Sequence, residues 1–375
     1  MKKMMFRKFL IDYLSFFIIA LLSSSVIIWV FQAVNYLDIM IEDGRDYIVY
    51  IKFSLLNFPK ILTRLMPFVL FFSLFYITTK YENNNQLIIF WNFGVHKIEL
   101  TNFLIKVSFI LMIIQIFLLS IIVPKSQDLA RNYIRNSNVN FFENFIKPQK
   151  FNDTIRGVTI YTEKKDENGN LFNLYLKKED NNNQFQITYA KKGVFKEFNK
   201  TPVLVLYDGE TIKGSDKGIT NFKFSKSDFP LNNFETNTTT YIKTQELSTI
   251  KLFSCINSIY LSKLKKPDTT IENCTIQNSK KILEEFYKRI FIPFYIPLLV
   301  LITFLLMLSS KENSNYNKLK IFTFLFNFFF IIFSETTVKF ISNKFYENIY
   351  IAIIPFLIFL LLYSLLFKKL NKKLN

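Results

Sequence analysis

The chain has 375 residues and a formal net charge of +18, and half of its residues are hydrophobic, with 45 Phe against 8 Gly. A soluble domain of this length does not need so much apolar side chain, so the composition favours a membrane protein. The positive charge first suggests an anionic partner such as nucleic acid. Lys and Arg lie mostly in short clusters beside apolar runs, however, which is typical of membrane insertion, and we expect no nucleic-acid partner.

Six stretches are long and apolar enough to cross a bilayer as helices, since a span needs about 20 predominantly apolar residues. The predicted spans are Leu10–Val34, Ile61–Thr79, Phe103–Val123, Ile290–Leu308, Ile321–Val338 and Ile349–Phe367. The first is too long for the apolar part of a signal peptide and is followed by no small-residue cleavage site. We therefore expect it to remain in the membrane.

The basic residues predict the orientation of these spans. The two termini and the loops after spans two and four carry thirteen Lys and Arg, whereas the opposite short loops carry five. Cytoplasmic loops carry the excess of Lys and Arg in membrane proteins. Both termini are therefore predicted to be cytoplasmic, and the long segment between spans three and four is predicted to be periplasmic, which we expect for a protein of the bacterial inner membrane.

The long segment has the pattern of a β domain with helical legs. Five short runs of β-forming residues follow one another, with a turn signal at Asp166–Asn170 between the first two. The runs are Val158–Thr162, Leu171–Leu176, Phe185–Tyr189, Val203–Tyr207 and Asn221–Ser225. Strands at this spacing predict an antiparallel sandwich, a jelly roll or an open barrel. The predicted division is helices one to three in 1–123, the periplasmic domain in 124–288 and helices four to six in 289–375.

Motifs of catalysis do not occur in the sequence. There is no P-loop, no H-E-x-x-H and no G-x-S-x-G, and His96 is the single histidine. We predict no catalytic residue, no metal site and no enzyme activity in this chain. Cys255 and Cys274 both fall in the periplasmic segment, where an oxidising environment allows a disulfide, with two buried thiols as the alternative.

The loop between spans two and three, at about 82–94, contains a short apolar helix that ends near Gly94. Its apolar residues are too many for a free cytoplasmic loop: Leu87, Ile88, Phe90, Trp91 and Phe93. One interpretation is an amphipathic helix lying on the lipid surface. The other is a helix that docks into a groove on a cytoplasmic partner.

Three features of the chain occur together. The first is the topology of three spans, a periplasmic β domain and three spans. The second is the helix Gln86–His96, which has Leu, apolar residues, Gly and an apolar residue in that order. The third is Glu285–Pro293, with a Glu, a basic pair and a Pro before span four. Together they resemble the LptF/LptG (YjgP/YjgQ-type) family of lipopolysaccharide export permeases over essentially the whole chain. The segment Trp29–Asp38, followed by Gly44, resembles LptF more than LptG.

This resemblance implies a polytopic α-helical membrane protein of six spans with an inserted periplasmic all-β, jellyroll-like domain. It implies a permease subunit of an ABC transporter that extracts lipopolysaccharide from the inner membrane and passes it to a periplasmic bridge toward the outer membrane. The implied partners are a second LptF/LptG-type permease, an LptB-like ATPase dimer and the jellyroll proteins LptC and LptA. ATP and Mg are expected on the ATPase, and no cofactor is expected on this chain.

Three sets of site residues are predicted. The helix that couples to the ATPase comprises Gln86, Leu87, Phe90, Trp91, Phe93 and Gly94, with Phe90 and Trp91 inserting into the ATPase. The candidates for binding lipid phosphates are Arg45, Lys52 and Arg64. The candidates for a lipid groove in the β domain, for which an ordinary packed core is the alternative, are Val158, Ile160, Leu174, Leu176, Ile187, Val203 and Leu206.

The sequence departs from the family in two places. Gln86 stands where many members have an acidic residue, so a charge-assisted contact to the ATPase would become a weaker neutral hydrogen bond. Family members also often carry Lys or Arg near the outer end of span one, and this chain has none between Val26 and Met40. The three cations named above are the nearest substitutes.

Other functions remain open from the residues alone. They are a permease of another ABC-type lipid or lipoprotein exporter, a secondary transporter, a membrane-anchored sensor or binding protein, and an integral-membrane enzyme. A secondary transporter is disfavoured because the two halves show no inverted repeat. A sensor is disfavoured by the short cytoplasmic segments, and an enzyme by the lack of paired ionisable groups within the spans.

Overall fold

The computed structural model describes residues 2–41, 47–136, 146–155, 158–166, 169–179, 185–198, 201–215, 218–230, 243–261, 271, 273–343 and 345–371. The chain forms two compact units. Unit 1 is Met1–Gln32, Leu55–Arg131 and Ile242–Asn375, and unit 2 is Ala33–Ser54 and Asn132–Tyr241. Residues 242–288 therefore belong to the helical unit, whereas the predicted boundary placed them with the β domain.

Eleven α-helices occur in the described part of the chain, together with short 3₁₀ and π turns. They are α1 (Lys2–Ile41), α2 (Tyr47–Leu56), α3 (Phe58–Asn83), α4 (Gln86–Asn92), α5 (Lys97–Phe117), α6 (Val123–Asn136), α7 (Thr249–Ile256), α8 (Ser279–Ile290), α9 (Tyr295–Thr303), α10 (Tyr316–Thr337) and α11 (Phe345–Asn371).

Six helical segments are long and apolar enough to cross a membrane. They are Lys2–Leu37, Tyr47–Asn83, Lys97–Ile134, Ser279–Leu308, Tyr316–Phe340 and Tyr346–Leu370. Each contains one predicted span, so the prediction of six spans is confirmed. The segments extend beyond the predicted spans because polar residues continue the same helices past the apolar runs, as α6 and α8 show.

Span four lies at the centre of the helical unit. Every residue of α9 is buried, and this helix packs against α3, α5, α10 and α11. A helix that is apolar on all sides is expected to be surrounded by other helices. Span one is the opposite case, because α1 buries one stripe at a spacing of four residues, from Phe9 through Tyr13 and Phe17 to Leu21. Many of its other apolar side chains, such as Ile18, Ile19 and Phe31, are exposed and are available to lipid or to another membrane protein.

Span three contains an irregular turn. The chain passes from α5 to α6 through a π-helical turn at Leu118–Ile122. A π turn disturbs the regular backbone hydrogen bonding of a helix and is frequent at functional positions. The carbonyl of Ser120 in this turn accepts a hydrogen bond of 2.7 Å from the Thr249 hydroxyl, which attaches α7 to span three.

Unit 2 contains a six-stranded antiparallel sheet in which each strand pairs with its neighbour in the sequence. The strands are β1 (Phe151–Ile155), β2 (Val158–Lys165), β3 (Leu171–Glu179), β4 (Phe185–Phe198), β5 (Thr201–Ser215) and β6 (Gly218–Pro230). The predicted insertion of an all-β domain between spans three and four is confirmed. The predicted hairpin is formed by β2 and β3, and all five predicted runs lie within strands that are longer than the runs.

One row of positions in this sheet lacks strand pairing. The registers of β2 through β6 are otherwise continuous, but they omit the row that consists of Glu163, Asn173, Lys191, Asp208 and Ser225. We call these positions the unpaired row. Two of its members have positive φ, at 49° for Asn173 and 48° for Asp208. Short polar side chains tolerate this left-handed conformation better than others do.

The unpaired row also resets the alternation of buried and exposed residues. On β3, Leu171 and Leu174 are both fully buried, with two exposed residues between them. On β4, Ala190 and Gly193 are both buried in the same way. Strict alternation would turn one member of each pair outward. The reset keeps the apolar side chains of both half-strands on one face of the sheet.

The two cysteines form a disulfide within unit 1. Cys255 and Cys274 have Cα atoms 5.9 Å apart and an S–S bond of 1.94 Å. Of the two alternatives left open by the sequence, the structure therefore has the bridge. Both residues are buried in a cluster with Leu252, Ile282 and Tyr287, so the bridge joins α7 to the segment that precedes α8.

Candidate functional site

The short helix α4 follows α3 at one end of the helical unit. Asn85, just before it, has φ 59°, and Gly94, just after it, has φ 71°. A glycine adopts this conformation without the steric cost that a Cβ atom brings. The Val95 amide then donates to the Phe90 carbonyl at 3.0 Å, which closes the helix end.

Only part of α4 is available to a partner. Leu87 and Phe90 are buried, at 2% and 5% exposure, and both pack in the core of the helical unit. Trp91 is half-buried against the same core, and the Lys97 ammonium lies 5.7 Å from the centre of its ring. The Phe90 side chain is enclosed by the chain itself, so its predicted insertion into an ATPase would require the ring to leave this core.

The exposed apolar residues of this helix and its end are Ile88, Ile89 and Phe93. We call these three residues the α4 surface. Gln86 is half-buried at the start of the helix. Phe93 was among the predicted coupling residues, whereas Ile88 and Ile89 were not, because the helix is apolar on all sides and its period does not show which side faces the core.

The residues just before and just after α4, which we call its flanks, form hydrogen bonds with the end of span four and with the residues that follow it. The Lys97 ammonium donates to the Met307 carbonyl at 2.9 Å. On the other flank the Lys311 amide donates to the Glu82 carboxylate at 2.9 Å, and its ammonium donates to the Asn83 carbonyl at 3.1 Å. The residues on either side of α4 are therefore hydrogen-bonded to the end of the most enclosed span of the unit and to Lys311 just after it.

At the opposite end of the same helices lies a polar cavity of about 190 Å³, which we call the Arg64 cavity. Its lining comes from α3, span three, the turn near Gln245, α8 and α10. The lining residues are Lys60, Thr63, Arg64, Pro67, Gln115, Leu119, Val123, Gln127, Gln245, Glu285, Lys288, Arg289, Ile292 and Glu335.

Arg289 lines this cavity, and its guanidinium is already hydrogen-bonded within the chain. It is 2% exposed, and its guanidinium donates to the Glu285 carboxylate at 3.1 Å, to the Leu247 carbonyl at 2.8 Å and to the Gln245 carbonyl at 3.0 Å. A buried charge needs such partners to offset its desolvation. Arg289 thus holds the turn at 244–246 against α8, and this accounts for the Glu and Arg of the Glu285–Pro293 segment.

The same turn carries a second ion pair. Arg131 lies 2.7 Å from the buried carboxylate of Glu246. Burial, with repulsion from Arg131, lowers the pKa of the Lys243 ammonium, and the nearby Glu246 carboxylate partly offsets this. Lys60 is half-buried beside the turn and donates to the side-chain oxygen of Gln245 at 3.1 Å.

Three charged residues of the cavity are exposed and make no hydrogen bond or ion pair with the described residues: Arg64, Lys288 and Glu335. Of the other phosphate candidates, Arg45 lies outside the described residues. Lys52 lies in unit 2, where its ammonium is 4.7 Å from the centre of the Tyr133 ring.

The groove candidates of the β unit are mostly enclosed. Five of them are buried in one cluster with 0–2% exposure: Val158, Ile160, Leu174, Leu176 and Leu206. Ile187 and Val203 are half-buried. Direct pairing of Ile160 with Leu176 places β2 and β3 candidates on one face, as expected from their spacing. In this conformation the five form a packed core and not an open groove.

A family model described as lipopolysaccharide export system permease LptF/LptG matches residues 7–369, which is nearly the whole chain. The chain belongs to this family. It is therefore a multi-pass membrane protein with a permease role in lipopolysaccharide export, and the predicted family is confirmed. The match does not distinguish LptF from LptG, so the choice of LptF stays a prediction.

This LptF/LptG permease also resembles an uncharacterized protein of Rickettsia prowazekii (strain Madrid E). The two are 25% identical over 348 residues, which is 90% of this chain and 89% of the relative. The similarity extends over the spans and the β unit alike.

Several site residues of this LptF/LptG permease were missed from the sequence. Gln115 lies within the third apolar run. The only local signal for it in the sequence is that an uncharged polar residue occurs deep inside a predicted span. Lys60 and Gln245 carried no signal of their own, and Lys288 was noted only as part of the basic pair before span four. Their shared cavity depends on contacts between residues far apart in the chain.

Proposed function

We propose that this LptF/LptG permease is one of two membrane subunits of an ATP-driven exporter that extracts lipopolysaccharide from the bacterial inner membrane. Its partners in the proposal are a second LptF/LptG-type permease, an LptB-like ATPase dimer that binds ATP and Mg, and the jellyroll proteins LptC and LptA. Both termini are cytoplasmic and the β unit is periplasmic. The family match over residues 7–369, together with three spans on each side of a β sheet, carries this proposal.

An external energy source is required by the chemistry of the substrate. Exposing acyl chains to water costs about 0.8 kcal/mol for each CH₂ group. A lipid with several chains therefore does not leave the bilayer spontaneously at a useful rate. ATP hydrolysis on a separate subunit supplies the energy, because no nucleotide-binding loop occurs in this sequence.

The α4 surface is the proposed contact with the ATPase. Ile88, Ile89 and Phe93 are exposed on a helix whose flanks are bonded to span four. Apolar anchors of this kind carry most of the binding free energy in helix-in-groove contacts. The hydrogen bonds of the flanks would transmit movement of the ATPase into the helical unit.

The apolar face of the β unit is the proposed path for acyl chains. Its buried cluster offers an apolar surface, but Leu174 and its neighbours are packed against each other. Access for a lipid therefore requires the sheet to open. Photo-crosslinking residues placed at Phe195 and Phe224, which are half-buried and pack against this cluster, would report lipid passing this face, with Ile219 on the opposite, exposed face of the sheet as the control position.

The decisive experiment is purification of the tagged full-length chain from its own host, followed by reconstitution into proteoliposomes. We expect an ABC-type ATPase and a second six-span permease to co-purify, and ATP-dependent release of lipopolysaccharide to LptC and LptA. The matched control is the complex with a hydrolysis-deficient ATPase. Co-purification with an ATPase but export of a different lipid would identify another lipid exporter, and the lack of any ATPase would contradict the proposal.

A further inference from the structure

The Arg64 cavity lies within a single chain. Its lining comes from α3, span three, α8 and α10, all of them in unit 1. A lipid-binding cavity between two permeases, as in the proposed exporter, would need the second subunit to be complete. The Arg64 cavity has its full set of polar groups without a partner.

The charge of this cavity is positive. Its lining contains four cations and two carboxylates, and Arg289 and Glu285 pair with each other. Lys60, Arg64 and Lys288 then face one remaining carboxylate, that of Glu335, which leaves a net charge of +2. A phosphate monoester carries a charge of about −1.5 to −2 at pH 7 and matches this excess, whereas a diester carries about half as much.

A buried amide points to a polar occupant. Gln115 is 1% exposed and lines the cavity, and its Oε1 atom has no hydrogen-bond partner among the described atoms. Its Nε2 atom donates to the Thr63 carbonyl at 3.4 Å. Turning the amide over would place two acceptors together, so the oxygen is the atom without a partner. An unsatisfied buried acceptor is costly, and a hydroxyl or amine of a ligand would satisfy it.

The size of the cavity limits what it can hold. At about 190 Å³ it is smaller than the roughly 300–1,000 Å³ of pockets that enclose a whole drug-sized ligand. It holds more than a single water, which takes about 30 Å³ in the liquid. The cavity therefore fits one polar group of a larger molecule and not its acyl chains.

We propose that the Arg64 cavity is a binding subsite for a phosphate monoester, with Arg64 and Lys288 as the anion-binding residues and Gln115 as the acceptor for a neighbouring hydroxyl or amine. This rests on the proposed function, in which the monoester belongs to the headgroup of the exported lipid. Arg64 is suited to the role because a guanidinium binds two phosphate oxygens at once. The exposed side chains of Arg64 and Lys288 need break no internal bond to do so.

The test uses the full-length chain in lipid nanodiscs. Binding of inorganic phosphate is measured by titration, and lipid retention by native mass spectrometry in nanodiscs that contain phosphatidic acid, a monoester, or phosphatidylglycerol, a diester. The variants are Arg64→Gln, Arg64→Lys and Lys288→Gln. Lys339→Gln is the matched control, since Lys339 is an exposed cation near the same end of span five that does not line the cavity.

We expect the wild type to retain phosphatidic acid over phosphatidylglycerol and to bind inorganic phosphate. Arg64→Gln should weaken both about 10- to 100-fold, as expected for loss of a hydrogen bond between charged groups, and Arg64→Lys by less. Lys339→Gln should behave as the wild type. Binding of inorganic phosphate with the same dependence on Arg64, but without enrichment of phosphatidic acid, would assign the subsite to a free anion.

Equal retention of the two lipids with no phosphate binding would overturn the inference, as would equal effects of Arg64→Gln and Lys339→Gln. These results are distinguishable from failure of the proposed function. A chain that assembles with the ATPase and exports lipid without monoester binding would disprove the subsite alone. A chain that binds the monoester but recruits no ATPase would disprove the exporter alone.

Discussion

The Tyr81 hydroxyl donates a hydrogen bond of 2.5 Å to the carboxylate of Asp12, joining the end of α3 to α1. The ring of Tyr81 also contacts Phe9 on α1 and Phe90 on α4, with centroid distances of 5.0 Å and 6.3 Å. One side chain thus connects the helix proposed to dock the ATPase with the first span. We infer that Tyr81 passes displacement of α4 to α1.

Tyr81→Phe keeps the ring contacts and removes the hydrogen bond. We expect assembly with the ATPase to remain, the free energy of unfolding to fall by about 1–2 kcal/mol, and less lipid to be released for each ATP hydrolysed. Parallel assays of ATP turnover and lipid release measure the ratio. Tyr76→Phe on the same helix is the control, since that ring stacks on Phe16 and its hydroxyl is not hydrogen-bonded to a described residue. Equal coupling ratios for the two variants would contradict the role of Tyr81.

The α4 surface should bind the ATPase, whereas Phe90 should not. Ile89→Ala with Phe93→Ala is expected to weaken ATPase association by about 2 kcal/mol or more, because exposed apolar anchors contribute most to such contacts. The amount of ATPase that co-purifies with the permease measures the loss. Ile110→Ala is the control, as an exposed isoleucine on α5 that lies outside the α4 surface.

Phe90→Ala should act differently from the changes on the α4 surface. It removes a buried ring from the core and should lower the free energy of unfolding by about 3–5 kcal/mol, with a lower thermal midpoint before any ATPase is added. If Phe90→Ala leaves stability unchanged but abolishes ATPase association, the assignment of the two sides of α4 is wrong.

The unpaired row should be sensitive to β-branched residues. Asp208 has φ 48°, which a β-branched side chain adopts only with strain. We expect Asp208→Val to lower the free energy of unfolding by about 1–3 kcal/mol, and Asp208→Gly to leave it nearly unchanged. Chemical denaturation of the full-length chain measures both. Asp228→Val is the control, because Asp228 is an exposed strand residue with an ordinary φ, and it should not show this loss.

The disulfide should be detectable and should stabilise unit 1. Peptide mapping without reductant is expected to show Cys255 linked to Cys274, and two freely alkylated thiols would contradict this. The bridge spans a sequence separation of 19 residues, so changing both residues to Ser should cost about 3 kcal/mol through greater freedom of the unfolded chain. Thermal unfolding of the oxidised protein and the double variant gives this difference, and Ser254→Ala, at an exposed serine next to Cys255, provides the control.

The spans and the hairpin at Asp166–Asn170 could be predicted because their signals are local: apolar length for the spans, and turn residues between β-forming runs for the hairpin. The buried side of α4 could not, since all sides of this helix are apolar and its orientation depends on Tyr81, which precedes it in α3. The Arg64 cavity was equally inaccessible, because Arg64, Gln115 and Glu335 meet only after three separate spans have packed.

The strand ends were missed for a related reason. The predicted run Val203–Tyr207 stops directly before Asp208, a residue type that strands disfavour, yet β5 continues to Ser215. The left-handed conformation of Asp208 is stable only because the strands on both sides continue past it. Pairing with the neighbouring strands, and not the conformational preference of Asp208, therefore determines that β5 continues.

The unpaired row has a consequence for how this sheet can change during evolution. In an ordinary strand, inserting one residue turns every side chain beyond it to the opposite face, which buries polar groups and exposes the core. Here the inward and outward pattern already restarts in the middle of each strand from β2 to β6. The two halves of a strand can therefore gain or lose residues separately. A lineage could reshape one half of the sheet while the other half keeps the inherited core.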